Sequence, residues 1–482
     1  MPRPSQRDDP GWGHSTVRTA CPLDCPDCCT LEVTVEQGRV VKIDGGDANP
    51  VTRKYICAKV RRFGERMYGE DRLLYPAVRS GAKGSGTFVR VTWEEALDQI
   101  ARRMEAIRDS AGAEAILPFC YGGSNGLLTQ DTNDARLFRG FGTSRLERTV
   151  CAAPTGAANQ ALYGKMAGVT YQDYVHAKLI VLWGVNPSAS GIHLVPFIKD
   201  ARNRGAQLVV IDPRATSLAR QADLHIAPRP GTDLPLALAL HRYLFARGDG
   251  TAFLAEHARG VEGLRARAEE WTIERAARTC EIDPAELERF AALYANASPA
   301  LIRCGWGLER NRNGGAAAAA VMALPAVGGK FGLRGGGFSM SNSSAFGIKS
   351  AAWMDETPEP STRLVNMNHL GRALLDYTDP PVQMLFVYNC NPLATMPDQN
   401  RVLKGLQRED LFTVVYEQVF TDTTRYADVI LPATTFLENY DIAKGYGPIT
   451  LQLVRPVVEP SGEARPNAEV FSDLASRLGI GE

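Results

Sequence analysis

The cysteines of this chain are crowded at one end. Cys21, Cys25, Cys28 and Cys29 fall within nine residues and Cys57 follows later, although the whole 482-residue sequence holds only ten. Thiols at that density converge on zinc, carry an iron–sulfur cluster or pair as disulfides. The spacing Cys21-x3-Cys25-x3-Cys29 is looser than the paired C-x2-C of structural zinc. It suits a larger object, such as a cubane whose four irons point in different directions. Cys28 is surplus: Cys25-x2-Cys28 is a competing ligand pair, and Cys28 also reads as a small residue beside the centre. Between Cys29 and Cys57, residues Leu31 to Ile43 alternate, turn at Gln37-Gly38 and alternate again. That pattern predicts a β-hairpin which returns the last cysteine to the first three. Lys59 stands two residues beyond Cys57. It reads either as a surface charge or as a cation between this centre and a second redox group.

A chain of this length has room for two to four domains. Its 54 basic and 54 acidic residues balance to a formal net charge of zero, so no basic field exists to hold nucleic acid. No run of 18 apolar residues marks a membrane span. The first ten residues are polar, with neither an apolar core nor paired arginines, so no export signal is expected. Ten cysteines without such a signal fit a reducing cytoplasm. Cys120, Cys280, Cys304 and Cys390 are isolated and read as packed thiols.

Residues 1–20 are expected to be a mobile lead-in. Thr92 to Glu95 form a capping box before a helical repeat of Leu97, Ile100, Ala101, Met104 and Ile107. Ala115–Phe119 reads as a strand running into the glycine-rich loop Tyr121–Gly126, where a bare backbone admits a ligand. Cys151 is either a packed thiol or an exposed thiolate at a helix N-terminus, which would lower its pKa. Lys178–Trp183, the loop Gly184-Val-Asn186-Pro187, a helix over about 193–204 and the strand Gln207–Ile211 make a β-α-β unit. Asp212 closes it, at the position where such folds hold a ribose. The loop lacks G-x-G-x-x-G, so an ordinary nicotinamide site is not supported. Asp233 recognises a guanine or caps a helix. Asp283 to Glu286 form a second capping box, and residues 328–337 are six-tenths glycine. Gln383–Tyr388 is a strand followed by Asn389-Cys-Asn391-Pro392, repeating the earlier strand-then-Asn-Pro grammar about 205 residues on.

Together these motifs resemble the molybdopterin oxidoreductase (dimethyl sulfoxide reductase) family. The carriers are Cys21-Pro-Leu-Asp-Cys25-Pro-Asp-Cys-Cys29, Cys57-Ala-Lys59, Trp183 to Pro187, Ile211-Asp212-Pro-Arg214, Arg229-Pro-Gly231-Thr-Asp233, Asn389 to Pro392 and Tyr426 to Pro432. The resemblance covers residues 21–478. It implies an α/β protein: a small N-terminal β-rich domain at 14–70, then two interleaved Rossmann-like domains. These take residues 71–150 with 335–440, and residues 151–334. Residues 441–482 are a return strand and helix.

The same resemblance implies a [4Fe–4S] cluster on Cys21, Cys25, Cys29 and Cys57, and a bis-molybdopterin guanine dinucleotide holding molybdenum or tungsten. Cys151 would be the metal's protein ligand and Lys59 the electron relay. Gly184, Asn186, Asp212, Arg214, Gly231 and Asp233 would hold one nucleotide. Asn389, Asn391, Thr421, Asp422 and Thr424 would hold the other. The implied activity is a two-electron redox or oxygen-atom transfer reaction on a small-molecule substrate. The implied redox partner is a ferredoxin, a flavoprotein or a membrane subunit.

Three departures qualify the match. Ala152 follows Cys151 where formate dehydrogenases carry histidine, and no arginine occurs from Phe338 to Ala345, so a formate dehydrogenase-like reaction is less expected than the general one. Val60 replaces the glycine that usually follows the relay lysine. The family closes with a β-barrel domain, and this sequence stops before it. Either the sequence is a fragment, or a separate chain supplies the domain, or cofactor binding is incomplete. Alternatives are a non-catalytic electron-transfer or scaffold subunit with the cluster but no molybdenum, and a zinc-stabilised nucleotide-binding module.

Overall fold

The computed structural model describes residues 15–348 and 361–481. Its smallest unit is the three-stranded antiparallel sheet Ser15–Ala20, Thr30–Glu36 and Arg39–Gly45. Gln37 and Gly38 turn the hairpin with φ of 49° and 74°, the double left-handed conformation that a two-residue hairpin turn requires. Residues 15–20, expected within the lead-in, are therefore an edge strand. The Thr19 hydroxyl donates to the Arg455 carbonyl at 2.9 Å and accepts from the Arg455 N–H at 2.9 Å, which ties that edge to the far end of the chain. Leu31, Val33, Ile43, Val60 and Met67 form the core here, and Leu437 and Val454 from the C-terminal part complete it.

The two larger units are layered α/β folds. In the first sheet the spatial order is Leu224–Ile226, Gln207–Ile211, Leu179–Trp183, Ala300–Cys304 and Gly337–Ser339, all parallel. Every residue of Leu179–Trp183 and Ala300–Cys304 is buried, as a parallel sheet covered by helices on both faces demands. The chain leaves Leu179–Trp183 in one direction first, and later returns to add Ala300–Cys304 on the other side. That reversal opens a crevice at the carboxyl ends of these two strands. Gly337–Ser339 was expected in the other α/β domain. It is the edge of this sheet instead, because it pairs in parallel with Leu301–Arg303.

In the second sheet the order is Phe88–Arg90, Ala77–Arg79, Val429–Pro432, Phe412–Glu417, Met384–Tyr388 and Ile116–Cys120. The last four strands run parallel and the first two form an antiparallel edge hairpin. Helix Trp93–Ala111 covers one face, started by the expected reciprocal cap between Thr92 and Glu95. The cap at Asp283 is one-sided: its carboxylate accepts from the Ala285 N–H at 2.9 Å, while Glu286 stays exposed. The final helix, Asn467–Arg477, docks Phe471 among Phe138, Phe386, Tyr388 and Tyr416. Among the described residues no helix is long and apolar enough to cross a membrane.

Candidate cluster and cofactor site

The cysteine loop is closed by its own backbone: the Cys21 N–H donates to the Cys29 carbonyl at 2.8 Å. Cys57 stands at the N-cap position of the short helix Ala58–Arg61, its thiol free of any capping bond. The thiols of Cys21, Cys25, Cys29 and Cys57 stand near enough that charge on one opposes charge on the others. Cys28 turns away. Its φ of 52° is left-handed, and its sulfur and carbonyl both meet the Gln452 amide. All ten cysteines are unpaired. Burial pushes Cys25 up to about 12, and Cys21 and Cys29 further in the same direction. Four thiolates are stable at such a place only around a cationic core, and iron in a cluster provides one.

Lys59 projects from helix Ala58–Arg61 into a cavity of about 580 Å³. Asp24, Asn389, Asn391 and Thr421 line the same cavity. These come from the cysteine loop and from the carboxyl ends of the second sheet. Asn391 holds its loop to residues 421–424: its Oδ1 accepts from the Thr423 hydroxyl at 2.7 Å, and its amide donates to Asp422 at 3.3 Å. Asn389 has a φ of 56° and donates to the Thr129 carbonyl at 3.3 Å. Thr424 is fully buried and its hydroxyl contacts that of Thr421 at 2.8 Å. It shapes the loop, while Thr421 faces the cavity.

The other predicted group gathers at the crevice of the first sheet. Gly184 follows its strand with a φ of 63°, the same left-handed step that Asn389 takes in the second sheet. Gly305 packs so closely on it that an added Cβ would lie 2.0 Å from the Gly184 carbonyl. The Asn186 Oδ1 is buried without a hydrogen-bond partner, an acceptor poised for a group from outside the chain. Asp212 accepts from the Arg214 N–H at 2.8 Å, while the Arg214 side chain is exposed. Asp233 opens helix Asp233–Arg247 next to Gly231. It does not cap that helix but accepts from the Trp183 indole at 2.8 Å. Burial raises its pKa.

Cys151 lies just before helix Ala153–Tyr163 and is half-buried. The helix-end position suggests a lowered pKa; burial outweighs it and raises the thiol, with a hydrogen bond from Tyr121 acting the other way. Asp24, Glu309 and Arg310 set the local field. Arg310 donates to the Val150 carbonyl. Glu309 accepts from the Thr155 N–H at 2.9 Å and from its hydroxyl at 2.6 Å. Both sides of Cys151 are thus pinned by one dipeptide. Asp24 acts on Lys59's cavity and on Cys151, and its own carboxyl is raised by desolvation. Glu309 and Arg310 belong to no local motif. Tyr121 alone was signalled, by the glycine-rich loop at 121–126.

Residues 72–477 match the family model described as molybdopterin oxidoreductase, and residues 14–69 match the molybdopterin oxidoreductase Fe4S4 domain. The chain is 39% identical over 470 residues to probable oxidoreductase YoaE of Bacillus subtilis (strain 168), covering 97% of this chain and 69% of that protein. It is 28% identical to the dimethyl sulfoxide/trimethylamine N-oxide reductase of Cereibacter sphaeroides, covering 94% and 62%. The solved acetylene hydratase from Pelobacter acetylenicus aligns with a TM-score of 0.84 at 23% identity, over 96% of this chain and 69% of the other. That likeness speaks to the fold alone.

Proposed function

The chain belongs to the molybdopterin oxidoreductase family, and on that footing we propose that it carries out a two-electron redox or oxygen-atom transfer reaction on a small molecule. It is an oxidoreductase with a [4Fe–4S] cluster and a molybdopterin cofactor. When bound, the pterin-held metal would supply two-electron exchange with substrate and the cluster one-electron transfer.

The chain's own residues divide the work. Cys21, Cys25, Cys29 and Cys57 hold the cluster. The Cys151 thiolate ligates the molybdenum or tungsten, and the Tyr121 hydroxyl donates a hydrogen bond to it. Gly184, Asn186, Asp212, Gly231 and Asp233 receive one guanine dinucleotide at the crevice. Asn389, Asn391, Thr421 and Asp422 receive the other. Arg214 and Thr424 support their loops. Lys59 offers an ammonium between cluster and pterin, and Asp24 balances its charge. The redox partner is of the ferredoxin, flavoprotein or membrane-subunit kind.

The observation that carries this reading is Lys59, which follows the cluster cysteine Cys57 by two residues and lines one cavity with Asn389, Asn391 and Thr421. The test is Lys59→Ala. It is expected to slow dye-linked electron delivery while iron and pterin contents stay at wild-type levels. Wild-type rates in that variant reject the relay.

A further inference from the structure

Behind the cysteine loop lies a polar network that none of the roles above uses. His193, the residue before helix Leu194–Asn203, is fully buried, and Asp27, between Cys25 and Cys29, is 1% exposed. The His193 Nδ1 lies 2.8 Å from the Asp27 Oδ2, and the His193 backbone N–H donates to the same oxygen at 3.2 Å. The Tyr171 hydroxyl donates to the other carboxylate oxygen at 3.2 Å. On its far side the His193 Nε2 lies 2.8 Å from the Tyr55 carbonyl. The Tyr55 ring packs on the imidazole at 4.2 Å between centroids. The Tyr55 hydroxyl donates to the Ile192 carbonyl at 3.0 Å. Every edge of the imidazole is therefore fixed. The sulfur of Cys29 sits 3.8 Å from the same Nδ1, within reach of a hydrogen bond to sulfur.

We propose that His193, held in place by Asp27, is a positioning residue for the iron–sulfur centre and sets its reduction potential through Cys29. This rests on the reading of Cys29 as a cluster ligand. The physical reason is charge. A reduced cluster is more negative than an oxidised one, and a polarised N–H edge beside a ligand sulfur stabilises the reduced form. The site is dry, so the effect is not screened away as it would be at the surface. The Tyr55 carbonyl can only accept, so Nε2 carries a proton. The Asp27 carboxylate at 2.8 Å likewise accepts, so the Nδ1 edge also donates, and its N–H lies beside the Cys29 sulfur. Asp27 keeps this edge in register: its two oxygens are held by Tyr171 and by the His193 backbone.

The test uses the whole chain, purified anaerobically, with iron assay and a redox titration followed by electron paramagnetic resonance. The variants are His193→Leu, His193→Gln and Asp27→Asn. His193→Leu is expected to keep its iron and to lower the reduced-to-oxidised ratio at the wild-type midpoint about tenfold, which is about 59 mV for a one-electron couple. His193→Gln, which retains a donor, is expected to fall between, and Asp27→Asn, which releases the imidazole, to move the midpoint as well. An unmoved midpoint in iron-replete His193→Leu and Asp27→Asn overturns the proposal. Loss of iron from all three variants also overturns it, since the network is then a scaffold and not a tuner. Wild-type protein without iron removes the cluster reading itself, a failure distinct from an unmoved midpoint.

Discussion

Acid is expected to loosen the helix that carries Asp233, and the cause is a single histidine. His241 lies inside helix Asp233–Arg247 and is fully buried. Its Nε2 lies 2.8 Å from the Ala320 carbonyl and so donates to it, while its Nδ1 has no partner. A proton on Nδ1 would be buried with nothing to accept it. Burial accordingly lowers the pKa from 6.5 to about 4. The unfolded chain binds this proton first, so the stability term is fully present above pH 6.5 and drains away as pH falls toward 4. The shift of about 2.5 units corresponds to about 3 kcal/mol in total, at about 1.36 kcal/mol per unit, and about 2 kcal/mol of it is lost between pH 7 and pH 5. The perturbation is His241→Leu, which deletes the titrating group whatever it does to absolute stability. The assay is urea unfolding at pH 7 and pH 5, with Trp183 in the same core contributing to the fluorescence. The wild type is expected to lose about 2 kcal/mol more than the variant over that interval. Equal losses in the two proteins refute the reasoning.

Three further substitutions probe the site. Cys151→Ala is expected to keep its iron and lose turnover, read by iron assay and dye-linked activity; full activity contradicts the metal-ligand role. Glu309→Ala removes both bonds to Thr155 and is expected to cost about 2–5 kcal/mol locally. It should lower bound molybdenum or tungsten with iron unchanged, as elemental analysis reads directly. Gly305→Ala drives a methyl to 2.0 Å from the Gly184 carbonyl and 2.5 Å from the Val185 Cβ, where backbone cannot yield. A destabilisation of about 3 kcal/mol and reduced guanine nucleotide content are expected on denaturation and nucleotide analysis.

Local patterns carried much of the architecture. Leu179–Trp183 and Met384–Tyr388 are continuous apolar runs, and both are fully buried parallel strands. The two Asn-Pro loops share more than letters: Gly184 and Asn389 both take a left-handed step straight after the strand. Elements that depend on distant partners were not readable. Ser15–Ala20 is held through Thr19 and Arg455, 436 residues apart in sequence. Gly337–Ser339 hides behind a glycine run that carries no strand signal. His193 and Asp27 are 166 residues apart, and neither sits in a pattern that links it to the other. The pKa of Cys151 turned on burial, which only the packed structure reveals.

In the reading proposed above, four early thiols hold an iron cluster beside a pterin-held metal. Quantifying iron, molybdenum, tungsten and pterin in the anaerobically purified chain tests it most directly. About four irons per chain are expected, with molybdenum or tungsten and guanine-bearing pterin alongside. Protein that carries zinc, or neither iron nor pterin, contradicts it.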